Sequence, residues 1–229
     1  MKSIMKRLAI LIGFLLGFII AAMAQESNQS EEQTGKRKRF YIEAGSGFSY
    51  LCAATNLSPY GLHYRGGFGN GVTYDVQFNY NFKDFGPVGL KYSGFTASGN
   101  YTLADGMPVA DDVDIHYIAP QIGYIVPFAK RFLYTSFVGA GCAFYKNGST
   151  MGEAEREYKK AMFAAHADIG VKCLIVNDLY IGLNMTYMYA QAKSLEEKVD
   201  GVKQTIDLGK KDRIRMNRMD FSVSLTRYF

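Results

Sequence analysis

Three histidines and 21 acidic residues are the groups from which a reactive site would have to be assembled. His166-Ala167-Asp168 sets a base two residues from a carboxylate, which on a strand puts both on one face. Nucleophilic catalysis also needs a hydroxyl or thiol held against such a base. No serine adjoins this pair, and no Ser-centred motif lies near His63 or His116. The histidines, spread over a loop and two strands, do not have metal-ligand spacing. "DGMPVADDVD", Asp105 to Asp114, gathers acids but lacks the regular oxygen-ligand spacing of a calcium loop, so it reads as a solvated loop. Cys52, Cys142 and Cys173 are an odd set. Cys142 and Cys173 are expected at opposite depths of one hairpin, out of mutual reach. They read as small apolar fillers, with one intermolecular bridge through Cys52 as the alternative. No enzyme, metal or cofactor is expected.

The elements that carry these residues are strands. "VTYDVQFNYNF", residues 72 to 82, alternates Val72, Tyr74, Val76, Phe78, Tyr80 and Phe82 with Thr73, Asp75, Gln77, Asn79 and Asn81. A period of two over such a length predicts a strand whose faces meet different surroundings. Eight strands are predicted: 40–51, 72–82, 88–97, 113–126, 132–145, 162–175, 179–191 and about 214–229. Alternation is cleanest in the second, sixth, seventh and eighth. Ser93-Gly94, Tyr117-Ile118 and Gly139 to Gly141 are places where a bulge would shift the phase. Connections alternate between long (52–71, 98–112, 146–161, 192–213) and short (83–87, 127–131, 176–178). Within the long ones, "GEAEREYKKA" suits a short charged helix, and "NLSPYGLHYRGGFGN" suits adaptable contacts.

Residues 1–24 have Lys2, Lys6 and Arg7, an apolar stretch from Leu8 to Ile20, and Ala22-Met23-Ala24, the layout of a cleaved secretory signal. A retained helical anchor is the other reading of this stretch. Residues 25–39 read as a flexible periplasmic leader ending in the basic run Lys36 to Arg39, and 40–229 as one domain. Cleavage would remove three of the 26 bases and leave 23 against 21 acids, a net +2. Charge therefore makes no case for nucleic acid.

Alternation alone does not distinguish a membrane barrel from a soluble lipocalin-like barrel with its apolar side inward. Three features favour the membrane. The strands match the ~9–11 residues of a tilted bilayer crossing. Aromatics gather at strand ends: Phe40, Phe82, Phe132, Tyr180 and Phe229 at one rim, Tyr50, Tyr117, Phe144, Phe163 and Tyr189 at the other. The chain closes on "MDFSVSLTRYF", with Phe221, Val223, Leu225 and Phe229 on one face. That ending resembles the C-terminal assembly strand of bacterial outer-membrane barrels, departing from it at Arg227. The chain thus resembles the small outer-membrane β-barrel domain family of Gram-negative bacteria, in the porin-like group, over about residues 40–229.

The resemblance implies an all-β, eight-stranded, antiparallel up-and-down transmembrane barrel with short periplasmic turns and long outer loops. It implies insertion by the barrel-assembly machinery among outer-membrane lipids, and both termini in the periplasm. A monomer is expected. Eight strands leave room for little more than side chains, so inward polar groups should pair with one another. Counted from the periplasmic rim, Glu43, Lys91 and Lys172 fall low, and Asp75, Asp168 and Asp220 fall near the middle. His166 lies slightly higher, with Gln77, Asn79 and Asn184 filling the remaining space. The expected role is structural, or interaction with an unknown surface ligand through the outer loops. The alternatives are a narrow pore or a proton-sensitive gate at His166, and passage of small apolar molecules through a lateral opening.

Overall fold

Alternating sequence becomes continuous sheet in the computed structural model of the chain. The structure describes residues 39–52, 70–83, 85–102, 106, 108–151, 154–199, 202–207 and 214–229. The expected signal segment, all of the expected leader except Arg39 and most of 52–71 lie outside these residues. The strands are β1 (Phe40–Leu51), β2 (Asn70–Phe82), β3 (Gly86–Thr102), β4 (Pro108–Ala129), β5 (Phe132–Met151) and β6 (Ala154–Val176). They are followed by β7 (Leu179–Ala192), β8 (Ser194–Val199), β9 (Val202–Asp207), β10 (Ile214–Arg215) and β11 (Arg218–Tyr228).

β1, β2, β3, β4, β5, β6, β7 and β11 form an antiparallel ring, closed where β11 pairs with β1 and where β7 pairs with both β11 and β6. The register gives the shape of the ring. Partners run from Phe40 through Tyr80, Val88, Ile122, Val138, Ala167, Tyr187 and Met219. The next step returns to β1 at Tyr50, ten residues beyond the start. That stagger over eight strands tilts them by about 40° and leaves an interior just wide enough for side chains. Each residue then climbs roughly 2.5 Å along the barrel axis.

Short turns join the strands at the rim that holds both Phe40 and Phe229. Between β6 and β7, Asn177 and Asp178 both have positive φ, the backbone of a tight primed hairpin turn. Phe229 donates its N–H to the Phe40 carbonyl at 2.8 Å.

Four expectations are corrected at the opposite rim. Residues 98–112 and 146–161 are largely strand, because β3, β4, β5 and β6 run straight through them. "GEAEREYKKA" contributes to β6 and is not a helix: Tyr158 and Met162 point in and are buried, while Glu155, Lys159 and Ala161 point out. In 192–213, β8 and β9 form a hairpin whose first strand pairs with the outer end of β6. The expected eighth strand is also divided. β10 pairs with β7 at Ala192 and Gln191, and β11 starts only at Arg218. The outcome is a wall of β3–β6 and β8–β9 standing above one side of the ring.

No phase shift occurs at Ser93-Gly94, Tyr117-Ile118 or Gly139 to Gly141. The shifts lie near the short-turn rim instead, between Pro127 and Ala129 and between Leu174 and Val176. Gly139 serves close approach: a Cβ there would lie 2.5 Å from the ring of His166.

Candidate functional site: the barrel interior and its outer wall

Even-numbered residues of β2 from Val72 and odd-numbered residues of β6 from Ala161 face outward and are apolar, whereas Asp75, Gln77, Asn79, His166, Asp168 and Lys172 face in and are buried. The ring has its oil outside and its charges inside, the reverse of a lipocalin-like barrel. All ten sequence-predicted polar residues face the interior, and Asn184 is the one among them that is only half-buried.

The ion pairs form tiers. Near the short-turn rim, Lys172 donates to Glu43, whose other oxygen accepts from Asn184 at 2.7 Å. Asn184 also donates to Ser224 at 2.9 Å, and the Lys172 ammonium lies 5.2 Å from the centre of the Tyr41 ring. Higher, Lys91 donates to Asp168 at 2.5 Å and to Thr186 at 3.2 Å. Lys91 thus belongs to the middle tier and not with Glu43, because the tilt lifts β3 relative to a count made from its own turn. Beside it, Gln121 donates to Gln77 and Asn79, and its Oε1 lies 3.2 Å from His166 Nε2. His166 Nδ1 is 2.8 Å from the Tyr117 hydroxyl.

A third pair was missed in the sequence. Arg218 is fully buried, sits 3.1 Å from Asp220, donates to Ser93 at 2.6 Å and lies over the Phe95 ring. Ser49 donates to the other oxygen of Asp220. The signal was present: Arg218 shares parity with Asp220 on the last strand. Asp75 differs from the other three interior carboxylates. Among the described residues it makes no ion pair, and its Oδ2 has no hydrogen-bond partner.

Apolar layers lie at both ends of this polar core. Tyr41, Phe137 and Tyr228 close the short-turn end, with Tyr180 packed 5.3 Å from Tyr228. Phe95, Ile115, Tyr117, Met162 and Met188 fill the outer end. Tyr180 and Tyr117, expected in the two outward girdles, therefore face inward. The remaining girdle residues Phe40, Phe82, Phe132 and Phe229 at one end, and Tyr50, Phe144, Phe163 and Tyr189 at the other, are exposed on the outside. From Phe40 to Tyr50 the outward band is roughly 25 Å tall, the height of a membrane barrel's apolar belt.

The strand pairing is closed, the belt is apolar and the charges are inside. The fold is that of a small outer-membrane β-barrel. No protein-family model matches the sequence, and no curated protein matches it. Among solved structures, the barrel is similar to a major outer membrane protein from Thermus thermophilus, at 13% identity and a TM-score of 0.55 over 83% of this chain and 98% of that one. It also matches Neisserial surface protein A at 12% identity and a TM-score of 0.48, covering 83% and 97% of the two chains. Outer membrane protein W of E. coli matches at 18% identity and a TM-score of 0.41, covering 86% and 100%. The likeness is one of fold.

Above the belt the barrel's outward face changes character. On β4, Ile118 is followed by His116, Asp114 and Asp112; on β5, Phe144 by Lys146; on β6, Phe163 by Ala161, Lys159 and Glu157. Lys146 and Lys159 pair with Glu157 at 3.4 and 2.9 Å. The hydrogen bond from Lys159, with help from Lys146, holds the Glu157 carboxyl below its usual range. On the inner face of the wall, burial and then the Glu197 carboxylate push Tyr158 up to about 12, against the opposing effect of Arg156. The free cysteines Cys52 and Cys142 are exposed, and Cys173 is half-buried.

Proposed function

We propose that the protein resides in the outer membrane as a monomeric, non-catalytic barrel with a closed interior, and that its working surface is the raised outer wall. The termini lie on the periplasmic side, and insertion uses the barrel-assembly machinery acting on Phe221, Val223, Leu225 and Phe229. The observation that carries this reading is the pairing of six interior charges between two apolar seals, beneath a wall that reaches well past the belt. A filled lumen leaves the exterior as the surface for contact with lipids or a surface ligand. Fractionation with an unheated gel tests it. A folded barrel in the outer-membrane fraction migrates apart from its heated form; a soluble periplasmic protein with no such shift would overturn the reading.

A second reading rests on the apolar outer seal. Phe95, Ile115, Met162 and Met188 form a surface along which a small apolar molecule would pass toward the belt if strands parted. Uptake of an apolar dye into vesicles carrying the protein, compared with empty vesicles, separates the two readings.

A further inference from the structure

Four carboxylates, Glu43, Asp75, Asp168 and Asp220, face the lumen from the described ring strands, against three cations, Lys91, Lys172 and Arg218. His166 does not make up the difference. Gln121 donates its amide hydrogens to Gln77 and Asn79, so its oxygen accepts from His166 Nε2, and His166 Nδ1 accepts from the Tyr117 hydroxyl. A neutral imidazole meets both contacts. These groups therefore leave the lumen with one negative charge in surplus. Burying a bare carboxylate is so costly that it takes up a proton or a counter-ion.

The surplus falls at Asp75. Its side chain is more than nine-tenths buried, it makes no ion pair among the described residues, and its Oδ2 has no hydrogen-bond partner. The pull of Lys91 reaches it, but the Lys91 ammonium is bonded to Asp168 and Thr186. Asp75 pairs in register with Gly45 of β1, and Gly45 with Ser224 of β11. One inward step higher, Gly47 lies between Thr73 and Ser222. β1 thus puts no side chain into the lumen at this level, and a trough runs over its backbone from Asp75 to two serines. A Cβ on Gly45 would stand 3.1 Å from Asp75 Oδ1 and 3.2 Å from Ser224 Cβ. That is close for carbon and open for a small hard cation, which draws oxygens in to roughly 2.3–2.6 Å.

We infer that the trough over Gly45 and Gly47 binds one monovalent metal cation of sodium size, held by Asp75 with Ser222 and Ser224. Charge sets the valence, since one positive charge cancels the surplus and a divalent ion would reverse it. The lining sets the class, since a carboxylate and hydroxyls are the oxygen ligands of a hard cation. The inference rests on the closed interior proposed above.

The test is equilibrium dialysis of the full-length folded protein, in a sodium-free detergent, against radiolabelled sodium, with choline chloride holding the ionic strength. The wild type should take up sodium saturably, to one ion per barrel. Asp75→Asn should abolish this uptake, and Ser222→Ala/Ser224→Ala should weaken it roughly tenfold or more, as loss of groups supporting a metal does. Sodium should also raise the urea midpoint of the wild type relative to choline and leave that of Asp75→Asn unmoved. No saturable uptake by the wild type would overturn the site, as would equal uptake by Asp75→Asn. So would an acid carbonyl band in the infrared spectrum of the sodium-loaded wild type that is missing from Asp75→Asn, because a proton would then hold the place. If Asp75→Asn loses its gel shift, the wild-type titration and the serine variant decide. Regular single-channel steps would count against the closed interior, whereas the saturable count reads the site itself.

Discussion

At the residue scale the interior charges are unequal partners. Lys172–Glu43, Lys91–Asp168 and Arg218–Asp220 are each buried, and removing one member strands the other in a low-dielectric setting. Lys172→Met should therefore destabilise the folded barrel by about 3–5 kcal/mol, and Lys172→Met with Glu43→Gln should recover most of the loss. Urea titration in detergent, followed by the gel shift, measures both. Asp75 is predicted to behave in the opposite sense. Because it makes no ion pair among the described residues and its Oδ2 lacks a hydrogen-bond partner, Asp75→Asn removes a buried charge that the protein holds only by longer-range attraction to Lys91 and should leave stability unchanged or raised, whereas Asp168→Asn should lower it. Polar identity was legible at this scale because strand parity assigns each residue a face. The pairings were less legible: Lys91 was placed beside Glu43 by counting from its own turn, which ignores the ten-residue stagger around the ring. Arg218 lies inside the predicted strand of about 214–229 and shares the parity of Asp220, so its face was legible although its pairing was not.

At the element scale, apolar-outward patterning exposed the eight ring strands, and Phe229 correctly marked the closing one. The wall was the part misread. Its outward positions are charged once they rise above the belt, so β6 from Glu155 to Lys160 loses the apolar alternation that identified the strand below. Charge on that face reads in the sequence as solvated loop or helix. Alternation persisted only on the hidden side, through Tyr158 and Met162. The β8–β9 hairpin pairs with β6 and takes no part in closing the ring. Deleting 194–207 and joining the ends with a short Gly/Ser linker should leave the gel shift intact. It should lower the thermal midpoint of the wall, since Leu195 would leave the core. Circular dichroism at increasing temperature checks this. Loss of the folded band would mean that the hairpin is needed for closure. Gly139→Val should act more severely, as its side chain would enter space held by His166 and the Pro120 carbonyl.

At the scale of the whole molecule, two apolar seals and a paired core predict no steady conductance. Planar-bilayer recordings of the reconstituted barrel should show no unitary openings at neutral pH. Regular single-channel steps would show that the seals around Tyr41 and Phe95 part readily. The overall plan was readable because it depends on gross features, namely period, strand length and a terminal phenylalanine. The wall that the described residues raise above β3–β6 depends on pairings between residues far apart in the chain. No local pattern in 192–213 announces that its first half will add to β6.

The meeting of Phe40 and Phe229 at one rim has a consequence for how the chain is read during biogenesis. Since Phe229 and Phe40, the first residue of β1, are hydrogen-bonded neighbours, a short linker can join them, and new ends can be cut at the Asn177-Asp178 turn. Such a circular permutant keeps every rung of the ring but makes β6 the terminal strand and places Phe229 mid-sequence. Spontaneous refolding into detergent should proceed, while delivery in the cell should fail if the last strand is, as proposed above, what the barrel-assembly machinery acts on. The two outcomes together would separate what the last strand contributes as architecture from what it contributes as an address.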